Sequence, residues 1–497
     1  ALHPHCDDSE AQIRRLLDGG IQGIKFQPFF QGFTLAEPAA EALFAAIGDQ
    51  FLVVMHAGDE IIPIPDIEPT PQRLAELTHR HPYLPWLLAS LLGPSLQLAA
   101  QDDLRDRLVR TDGKVLTGRL VTPHSPDEML LLQGGKRVRV ARADLASVEL
   151  VGDAIREFCE RRLAMKDSAK AQWFLVDWAN SHGLPGLARA QAMLIVLDDD
   201  SHDAAHEFLG HKKMNKGWLW ELDGRHVTRE QFENSLVKKP IDLVGERFVL
   251  RCDGGLRTNL AALLDLEHLG VVFHAQFGKA LQLRESLIPM RIECSRNVEA
   301  FQKWGFRPLP YYTPAPPGDL ARTFYAGASP IRPQKLFFVA TQALLYHTLI
   351  GDVARNNDRD RVCPWLEIGL GMYMENTMQG PAGFAAPGAL RAQDLQAMQA
   401  LGRDFRITQL LHLPMYGGFY LLDDTATAVN WSAAVMFVAW LLDADNDPPT
   451  REPFLTFVRE ALGEKKGDSS SAFDKVMGRR IEDLEEPWLK WLNTKAG

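Results

Sequence analysis

The sequence has no pair of cysteines spaced as Cys-x-x-Cys, the spacing that zinc ribbons and thioredoxin-like redox sites need. Both kinds of site are therefore excluded. The cysteines are far apart and odd in number, which predicts buried or half-buried free thiols. They are Cys6, Cys159, Cys252, Cys294 and Cys363. A disulfide between Cys252 and Cys294 stays open as an alternative.

The chain also lacks an excess of basic residues. It has 54 lysines and arginines against 64 aspartates and glutamates, and its formal net charge is -10 at pH 7. A protein that binds nucleic acid without regard to sequence needs a basic face. The charge therefore predicts no nucleic-acid partner. Neither a P-loop nor a Gly-x-Ser-x-Gly motif is present.

No secretory signal is recognisable at the first residues, which are polar after Ala1. One uncharged run, Pro82 to Gln101, is long enough to span a membrane. Pro85 and the Gly93-Pro94 step interrupt this run, so we predict no firm membrane span. Residues 82–101 are either a buried strand followed by a helix or a former signal peptide at a fusion seam.

A chain of 497 residues exceeds one ordinary hydrophobic core, and its length predicts roughly three or four domains. With 46% hydrophobic and 24% charged residues, its composition is that of a globular protein. The hydrophobic period changes along the chain, which predicts a multidomain α+β fold. The predicted segments are 1–100, 101–150, 151–238 and 239–497.

The first two segments predict a partial (β/α) barrel-like segment and a small β module. Before residue 100, apolar runs such as Phe51 to His56 alternate with helical patterns such as Ser9 to Gly20, which favours parallel strands and crossing helices. After residue 100, strands with alternating hydrophobicity meet at the turn signals Asp112-Gly113 and Gly134-Gly135. These signals predict a β-barrel-like module of four or five strands.

The last two segments carry mostly helical patterns. Residues 151–238 have the apolar spacing of one tetratricopeptide repeat, which predicts a helical hairpin followed by a turn-rich segment. Thr228 is predicted to cap a short helix there. Residues 239–497 predict a larger, mostly helical α+β domain. Its long helices are expected at Leu256–Ala280, Pro333–Gly351 and Asn430–Leu442.

Two stretches of the last segment, 336–348 and 364–376, have the layout of a zinc peptidase. Such an enzyme uses His-Glu-x-x-His, because residues four apart share a helix face and both imidazoles reach one zinc ion. The glutamate activates the metal-bound water, and in gluzincins a later helix supplies a third ligand, a glutamate. In this chain, the four corresponding positions are Phe338, Val339, Gln342 and Ile368.

The residues around these positions resemble the gluzincin family. The stretch "LFFVATQALL" is similar to the family phrase Leu-Phe-His-Glu-Ala-Thr-His-Ala-Leu-Leu, and "PWLEIGLGMYME" is similar to Pro-x-Trp-Leu-x-Glu-Gly-Leu-Ala-x-Tyr. From about Asp102 to Gly497, the order of segments resembles a group of usually exported bacterial peptidase-like proteins. The resemblance implies a degenerate peptidase domain with no catalytic residue and no zinc, and an exported or envelope location.

Two neighbouring side chains are candidates to replace the lost ligands. His347 lies five residues beyond Gln342, roughly 140° around an ideal helix, and Glu367 lies roughly 100° from Ile368. Neither side chain is expected to point toward the positions that correspond to the zinc ligands. We predict a surface or hydrogen-bonded histidine and a solvated glutamate.

A second resemblance covers residues 1–95. The stretches "ALHPHCDDSEAQIRRLLDGG" and "FLVVMHAG" are similar to amidohydrolase-related metal-dependent hydrolases, which are (β/α)₈ barrels with metal ligands at the carboxyl ends of strands. His56 matches the mid-barrel ligand, whereas Ser90 replaces a later one. His3 and His5 have the spacing of first-strand ligands. The resemblance implies a divalent metal such as zinc at these three histidines.

Residues 198–211 are rich in aspartate and histidine, but they lack the spacing of an EF-hand. We interpret the three consecutive aspartates as an acidic loop between helices. His206 and His211 are five residues apart and are predicted to lie on different faces.

Three functional hypotheses follow from these patterns. The first is a catalytically inactive metallopeptidase-like protein that binds or scaffolds a peptide or protein ligand, by strand addition in the cleft. The second is a metal-dependent hydrolase acting through the amino-terminal segment. The third is a fusion or fragment without integrated activity. Metal at His56 would favour the second, and an ordered apolar groove beside Phe338 and Gln342 would favour the first.

Overall fold

The chain forms two compact units, Ala1–Asp102 with Ala315–Gly318, and Asp103–Pro314 with Asp319–Gly497. The architecture is mixed α+β with several small sheets, and none of them closes into a barrel within the residues described. The computed structural model describes residues 8–18, 23–26, 38–47, 52–56, 86–89, 106–120, 127–133, 136–165, 168–215, 217–222, 224–283, 289–303, 309–313, 320–326, 332–333, 335–350, 363–378, 391–401, 406–420, 424–446, 449–461 and 469–496.

The first unit contains a small parallel sheet with the strand order β1-β2-β3. Helix α2 connects β1 to β2, as a parallel pair requires a crossover. The elements are α1 (Ser9–Asp18), β1 (Gly23–Phe26), α2 (Pro38–Ile47), β2 (Leu52–His56) and β3 (Trp86–Ala89). Alternating helices and parallel strands agree with the α/β pattern of the sequence. His3, His5 and Ser90 lie outside the described residues.

An antiparallel sheet of five strands, in the order β7-β6-β5-β4-β8, begins the second unit. Its strands are β4 (Asp106–Arg110), β5 (Val115–Leu120), β6 (Glu128–Gln133), β7 (Lys136–Ala141) and β8 (Leu145–Glu149). The predicted turn at Asp112-Gly113 joins β4 to β5, and Gly113 has a φ of +82°, which glycine adopts without strain. Leu108 and Leu131 are fully buried in the small core on one face. Gly134 and Gly135 lie outside the described residues.

A helical layer and a short turn-rich sheet follow. The elements are α3 (Val151–Ala164), α4 (Ala169–Ser181), α5 (Pro185–Asp198), α6 (Asp203–Leu209), β9 (Lys212–Met214), β10 (Gly217–Leu222), β11 (Arg225–Val227) and α7 (Arg229–Ser235). Thr228 caps α7 in a reciprocal capping box, because its Oγ1 accepts from the Gln231 N–H and its own N–H donates to Gln231 Oε1. The predicted cap is therefore confirmed. The tetratricopeptide type of the helical pair stays a prediction.

The last sheet has the order β12-β13-β14-β16-β15, with parallel strands inside and an antiparallel strand at each end. Its elements are β12 (Ile241–Val244), β13 (Phe248–Cys252), α8 (Leu256–Leu281), β14 (Met290–Ser295), α9 (Val298–Gln302), β15 (Tyr311–Thr313) and β16 (Leu320–Phe324). Cys252 and Cys294 are direct neighbours on β13 and β14, yet both are buried free thiols. The alternative of a disulfide between them is wrong.

The remaining described residues of the second unit are mostly helical. The helices are α10 (Leu336–Leu344), α11 (Pro364–Thr377), α12 (Ala392–Leu401), α13 (Ile407–His412), α14 (Asp424–Leu442), α15 (Arg451–Arg459), α16 (Ser469–Met477) and α17 (Glu485–Ala496). Helix α10 continues as a π-helical segment, Leu345–Ile350, so the predicted helix Pro333–Gly351 begins later and changes its winding. The predicted helix Asn430–Leu442 begins earlier, at Asp424.

Helix α14 lies at the centre of these helices. Within the described residues it alone is long and apolar enough to cross a membrane, over Thr425–Leu442, and 72% of that stretch is buried in the fold. It packs tightly on α11, because a Cβ at Gly369 would lie 2.8 Å from the Ala434 carbonyl oxygen. The apolar length of α14 is thus used by the protein core.

Candidate functional site

The four positions predicted to correspond to the peptidase residues lie on the packed helices α10 and α11. Phe338, Val339 and Ile368 are fully buried, and Gln342 is 2% exposed. Phenylalanine, valine and isoleucine carry no donor atom, and an amide oxygen is not among the usual ligands of zinc. These residues do not fit a zinc ion, and no catalytic step through zinc follows from them.

Phe338 faces the side of α11 that carries Ile368. A Cβ added at Gly371 would lie 2.7 Å from Phe338 Cδ2, so the ring lies directly on this glycine. Ile368 precedes Gly371 by three residues and shares its helix face. The Phe338 N–H donates to Glu375 Oε2 at 3.0 Å, one turn further along that face. The predicted first and third ligand positions therefore lie at one helix interface.

Gln342 follows Phe338 by one turn and lies on the same side of α10. Its Oε1 has no hydrogen-bond partner within the described part of the chain. An unsatisfied buried acceptor typically costs about 1–3 kcal/mol of stability. A polar amide is thus held at a position where an apolar side chain would be more stable.

The prediction that Glu367 is solvated is wrong. The side chain is 4% exposed, and its Oε1 accepts a 2.5 Å hydrogen bond from the Tyr346 hydroxyl. Burial raises the pKa of Glu367 to about 8. Tyr346 reaches this carboxyl group from the π-helical segment, whose winding an ideal helix does not predict. His347, on the same segment, is half-buried.

A cavity of about 510 Å³ lies beside this interface. Trp431 of α14 lies between the cavity and the interface of α10 with α11. Its indole stacks on the Phe338 ring, with centroids 4.7 Å apart, and also lines the cavity. Met372 of α11 and Leu309 and Pro310 before β15 contribute further apolar surface. Neither Phe338 nor Gln342 lines this cavity, so the groove expected directly beside them stays a prediction.

Lys335, the residue before α10, is the main polar feature of the cavity. Its backbone is left-handed, with φ 51° and ψ 35°, a conformation that costs a non-glycine residue about 1–2 kcal/mol. Nζ donates to Met372 Sδ at 3.2 Å and lies 5.9 Å from the centroid of the Trp431 ring. Burial lowers the pKa of Lys335 to about 8, partly offset by the carboxylates of Glu375 and Asp394.

Asp394 is the acidic residue in the cavity wall, and its two oxygens are engaged. Oδ1 accepts from Ser432 Oγ at 2.9 Å, and Oδ2 accepts from Asn376 Nδ2 at 3.2 Å. Arg391 Nε lies 3.5 Å from Oδ2. The side chain of Asp394 is 4% exposed. This network joins α11, α12 and α14 and holds the wall of the cavity in place.

A larger groove of about 1280 Å³ lies between α12, α13 and α17. Long side chains such as Glu486, Lys490 and Asn493 line it. Glu486 and Asn493 are exposed. Because Lys335 and Asp394 place two charged groups of opposite sign in a more apolar enclosure, the smaller cavity at Lys335 is the better candidate for a ligand site.

His206 and His211 lie against each other, with the two Nδ1 atoms 2.7 Å apart. The prediction that they lie on different faces is wrong, because α6 ends at Gly210, whose φ of +77° turns the chain back. Each ring stacks on a tryptophan, His206 on Trp218 and His211 on Trp220. Burial lowers the pKa of both imidazoles, and it lowers the pKa of His211 to about 4.

A buried pair of carboxyl groups was not predicted from the sequence. Glu246 Oε1 accepts from the N–H groups of Gly186 and Leu187 at the start of α5, at 3.0 and 3.2 Å. Glu267 Oε1 accepts from the N–H groups of Glu246 and Arg247, at 2.6 and 2.7 Å. Burial raises the pKa of Glu246 to about 8 and that of Glu267 to about 7. These bonds connect α5 to the loop before β13.

In the first unit, His56 ends β2 and lies in register with Ala89 at the end of β3. Its backbone position is the carboxyl end of a parallel strand, where barrel hydrolases place metal ligands. Among the described residues, no group of three histidine, cysteine, aspartate or glutamate side chains is arranged to hold a metal ion. The metal predicted at His56, His3 and His5 stays a prediction.

No protein-family model and no curated protein matches this chain.

Proposed function

We propose that residues 239–497 form a catalytically inactive metallopeptidase-like domain that binds a peptide or protein segment. The side chains at Phe338, Val339, Gln342 and Ile368 support the first half of the proposal. They occupy the ligand layout of a peptidase, on two helices that face each other, with groups that cannot hold zinc. A domain with this layout has lost hydrolysis and can keep binding.

The cavity at Lys335 is the observation that carries the binding function. Its volume of about 510 Å³ lies within the range of ligand pockets, roughly 300–1,000 Å³. Such pockets combine apolar walls with a few placed polar groups. Here Trp431 and Met372 form apolar walls, and Lys335 and Asp394 are the charged groups. Leu309 and Pro310 lead from the cavity into β15, the last strand in the order of its sheet.

Affinity selection from random heptapeptide pools tests this proposal. The purified chain is incubated with the pools, and the retained peptides are identified by mass spectrometry. We expect retained peptides to slow backbone hydrogen exchange in residues 309–313 and 391–398, which include cavity-lining residues. Residues 241–244, at the opposite end of the same sheet, serve as the control and should not change.

Two outcomes would contradict the proposal. One is the absence of any selected peptide that slows exchange at the cavity. The other is the appearance of cleavage products in the incubated pools, because the proposed domain has no side chains for zinc-dependent hydrolysis.

A second candidate function, metal-dependent hydrolysis by the amino-terminal unit, is favoured by one observation. β1, β2 and β3 are parallel and in sequential order, with His56 at a carboxyl strand end. Metal content of the full-length chain, measured by mass spectrometry after dialysis against trace zinc, tests it. A stoichiometric metal that His56→Ala removes would support this function, and a chain without metal would contradict it. The hypothesis of a fusion or fragment stays a prediction.

A further inference from the structure

The cavity at Lys335 also indicates which part of a peptide it takes, an inference that rests on the proposed peptide binding. Two cationic residues, Lys335 and Arg391, and one acidic residue, Asp394, line it within the described part of the chain. Asp394 already accepts from Ser432 and Asn376 and lies beside Arg391. The carboxylate in the wall is therefore engaged by the protein itself.

The ammonium group of Lys335 is in the opposite situation. Its hydrogen-bond acceptor is the thioether of Met372, which is a weak acceptor. Among the described residues no ion pair joins Nζ to a carboxylate, and Glu375 and Asp394 act on it from a greater distance. A half-buried ammonium group without a close anion is poorly solvated, so an anion entering the cavity would be bound strongly.

The charges also distinguish between the two ends of a peptide. An amino terminus carries an ammonium group, which Lys335 and Arg391 would repel, and each oxygen of Asp394 already accepts a hydrogen bond from the protein. A carboxyl terminus carries the anion that Lys335 lacks. The apolar wall of Trp431, Met372 and Pro310 would contact the side chain of the terminal residue.

We infer that the cavity binds the carboxyl-terminal residue of a peptide, with its carboxylate on Lys335 Nζ and an apolar side chain against Trp431. An internal peptide segment would leave the Lys335 ammonium group without an anion.

Two synthetic heptapeptide pools test this inference. Both have random residues at six positions and phenylalanine at the last, and one pool ends in a free carboxylate while the other ends in an amide. Retention is measured on the full chain and on Lys335→Met, which keeps a long apolar side chain and removes the charge. The matched control is Lys475→Met, at an exposed lysine outside the cavity.

We expect the carboxylate pool to be retained about 10-fold more strongly than the amide pool, the difference that one charge-assisted hydrogen bond makes. Lys335→Met should abolish this difference, and Lys475→Met should preserve it. The comparison of the two pools on the unmodified chain needs no variant, so a folding defect in Lys335→Met would not leave the inference undecided.

Equal retention of both pools, with slowed exchange at residues 309–313, would overturn this inference and leave the proposed function standing. A carboxylate preference that survives in Lys335→Met would also overturn the role of Lys335. Retention of neither pool would overturn this inference and count against peptide binding itself. If N-acetylphenylalanine binds as tightly as the heptapeptides, the cavity is a site for small carboxylates, and the inference of a peptide ligand is overturned.

Discussion

The ring of Phe338 stacks on the indole of Trp431, with centroids 4.7 Å apart and planes inclined by 29°. Phe338 occupies the first metal-ligand position of the peptidase layout that the sequence predicts, and Trp431 lines the cavity that contains Lys335. One aromatic contact therefore connects the degenerate positions to the proposed ligand site.

Restoring the missing ligands should create a zinc site. We expect the triple variant Phe338→His, Gln342→His and Ile368→Glu to bind about one zinc ion per chain, because the three positions lie on facing helix sides. Metal content by mass spectrometry checks this. A control variant with Phe337→His, Thr341→His and Ile368→Glu keeps the spacing but turns both imidazoles about 100° away. Equal zinc in both variants, or none in the first, would contradict the peptidase layout.

The packing of Phe338 predicts a large effect on stability. Phe338→Ala should lower the free energy of unfolding by about 3–5 kcal/mol, because it removes a fully buried ring and leaves a cavity between α10 and α11. Phe174→Ala, at a residue 63% exposed, should change it by less than about 0.5 kcal/mol. Denaturant unfolding of both variants measures the difference. Similar small effects would show that Phe338 is not packed as described.

The charge of Lys335 should make the folded protein less stable at neutral pH. Because burial lowers its pKa from 10.5 to about 8, the folded state disfavours the ammonium form, and stability rises as pH increases between these values. Lys335→Met should raise the free energy of unfolding at pH 7 by roughly 1–3 kcal/mol. Above pH 10.5 the gain should vanish. Unfolding curves at pH 7 and 11 test this, and a loss of stability at pH 7 would contradict it.

Glu367 should give the opposite dependence on pH. Because its pKa is raised from 4.5 to about 8, its contribution to stability is complete below pH 4.5 and is lost as pH rises to about 8. Glu367→Gln keeps an acceptor for Tyr346 without a charge and should remove this loss, by up to about 4 kcal/mol at pH 8. Glu486→Gln, at an exposed position, is the control. The same pH profile in wild type and Glu367→Gln would refute the raised pKa.

The contact between His206 and His211 predicts a single pair of tautomers. His206 Nε2 lies 3.1 Å from the Asp200 carbonyl oxygen and must donate to it, so Nδ1 of His206 accepts from Nδ1–H of His211. Nitrogen-15 chemical shifts of the two rings should identify these forms at pH 7. Since burial lowers both pKa values, the contact is stable above pH 6.5 and is lost on acidification. A charged imidazole at pH 7 would contradict the assignment.

Several local features followed from the sequence because they depend on residues close together in the chain. The capping box of Thr228 and the turn at Asp112-Gly113 use backbone and side-chain groups within four residues. The long helix α8 follows from hydrophobic period. The two positions of the peptidase layout on α10, four residues apart, share a face by helix geometry alone.

Features that depend on distant residues could not be predicted in this way. Lys335 and Asp394 belong to no motif, and nothing in a linear pattern places them in one cavity. A lysine before an apolar helix that lacks a capping side chain was the one local signal for Lys335. Glu367 was predicted to be solvated from its position roughly 100° from Ile368 on one helix, whereas in the structure the Tyr346 hydroxyl, on the π-helical segment, donates to it.

The sequence by itself determined that the positions of Phe338, Val339, Gln342 and Ile368 have no zinc chemistry, since that depends only on which atoms the side chains carry. Only the tertiary structure decided what surrounds them. Folding stacked Phe338 on Trp431, enclosed Glu367 with Tyr346 and placed the Lys335 ammonium group in a cavity beside Met372 and Trp431. Burial and electrostatic surroundings arise from contacts between distant segments, and these set the pKa values and the ligand that the site can take.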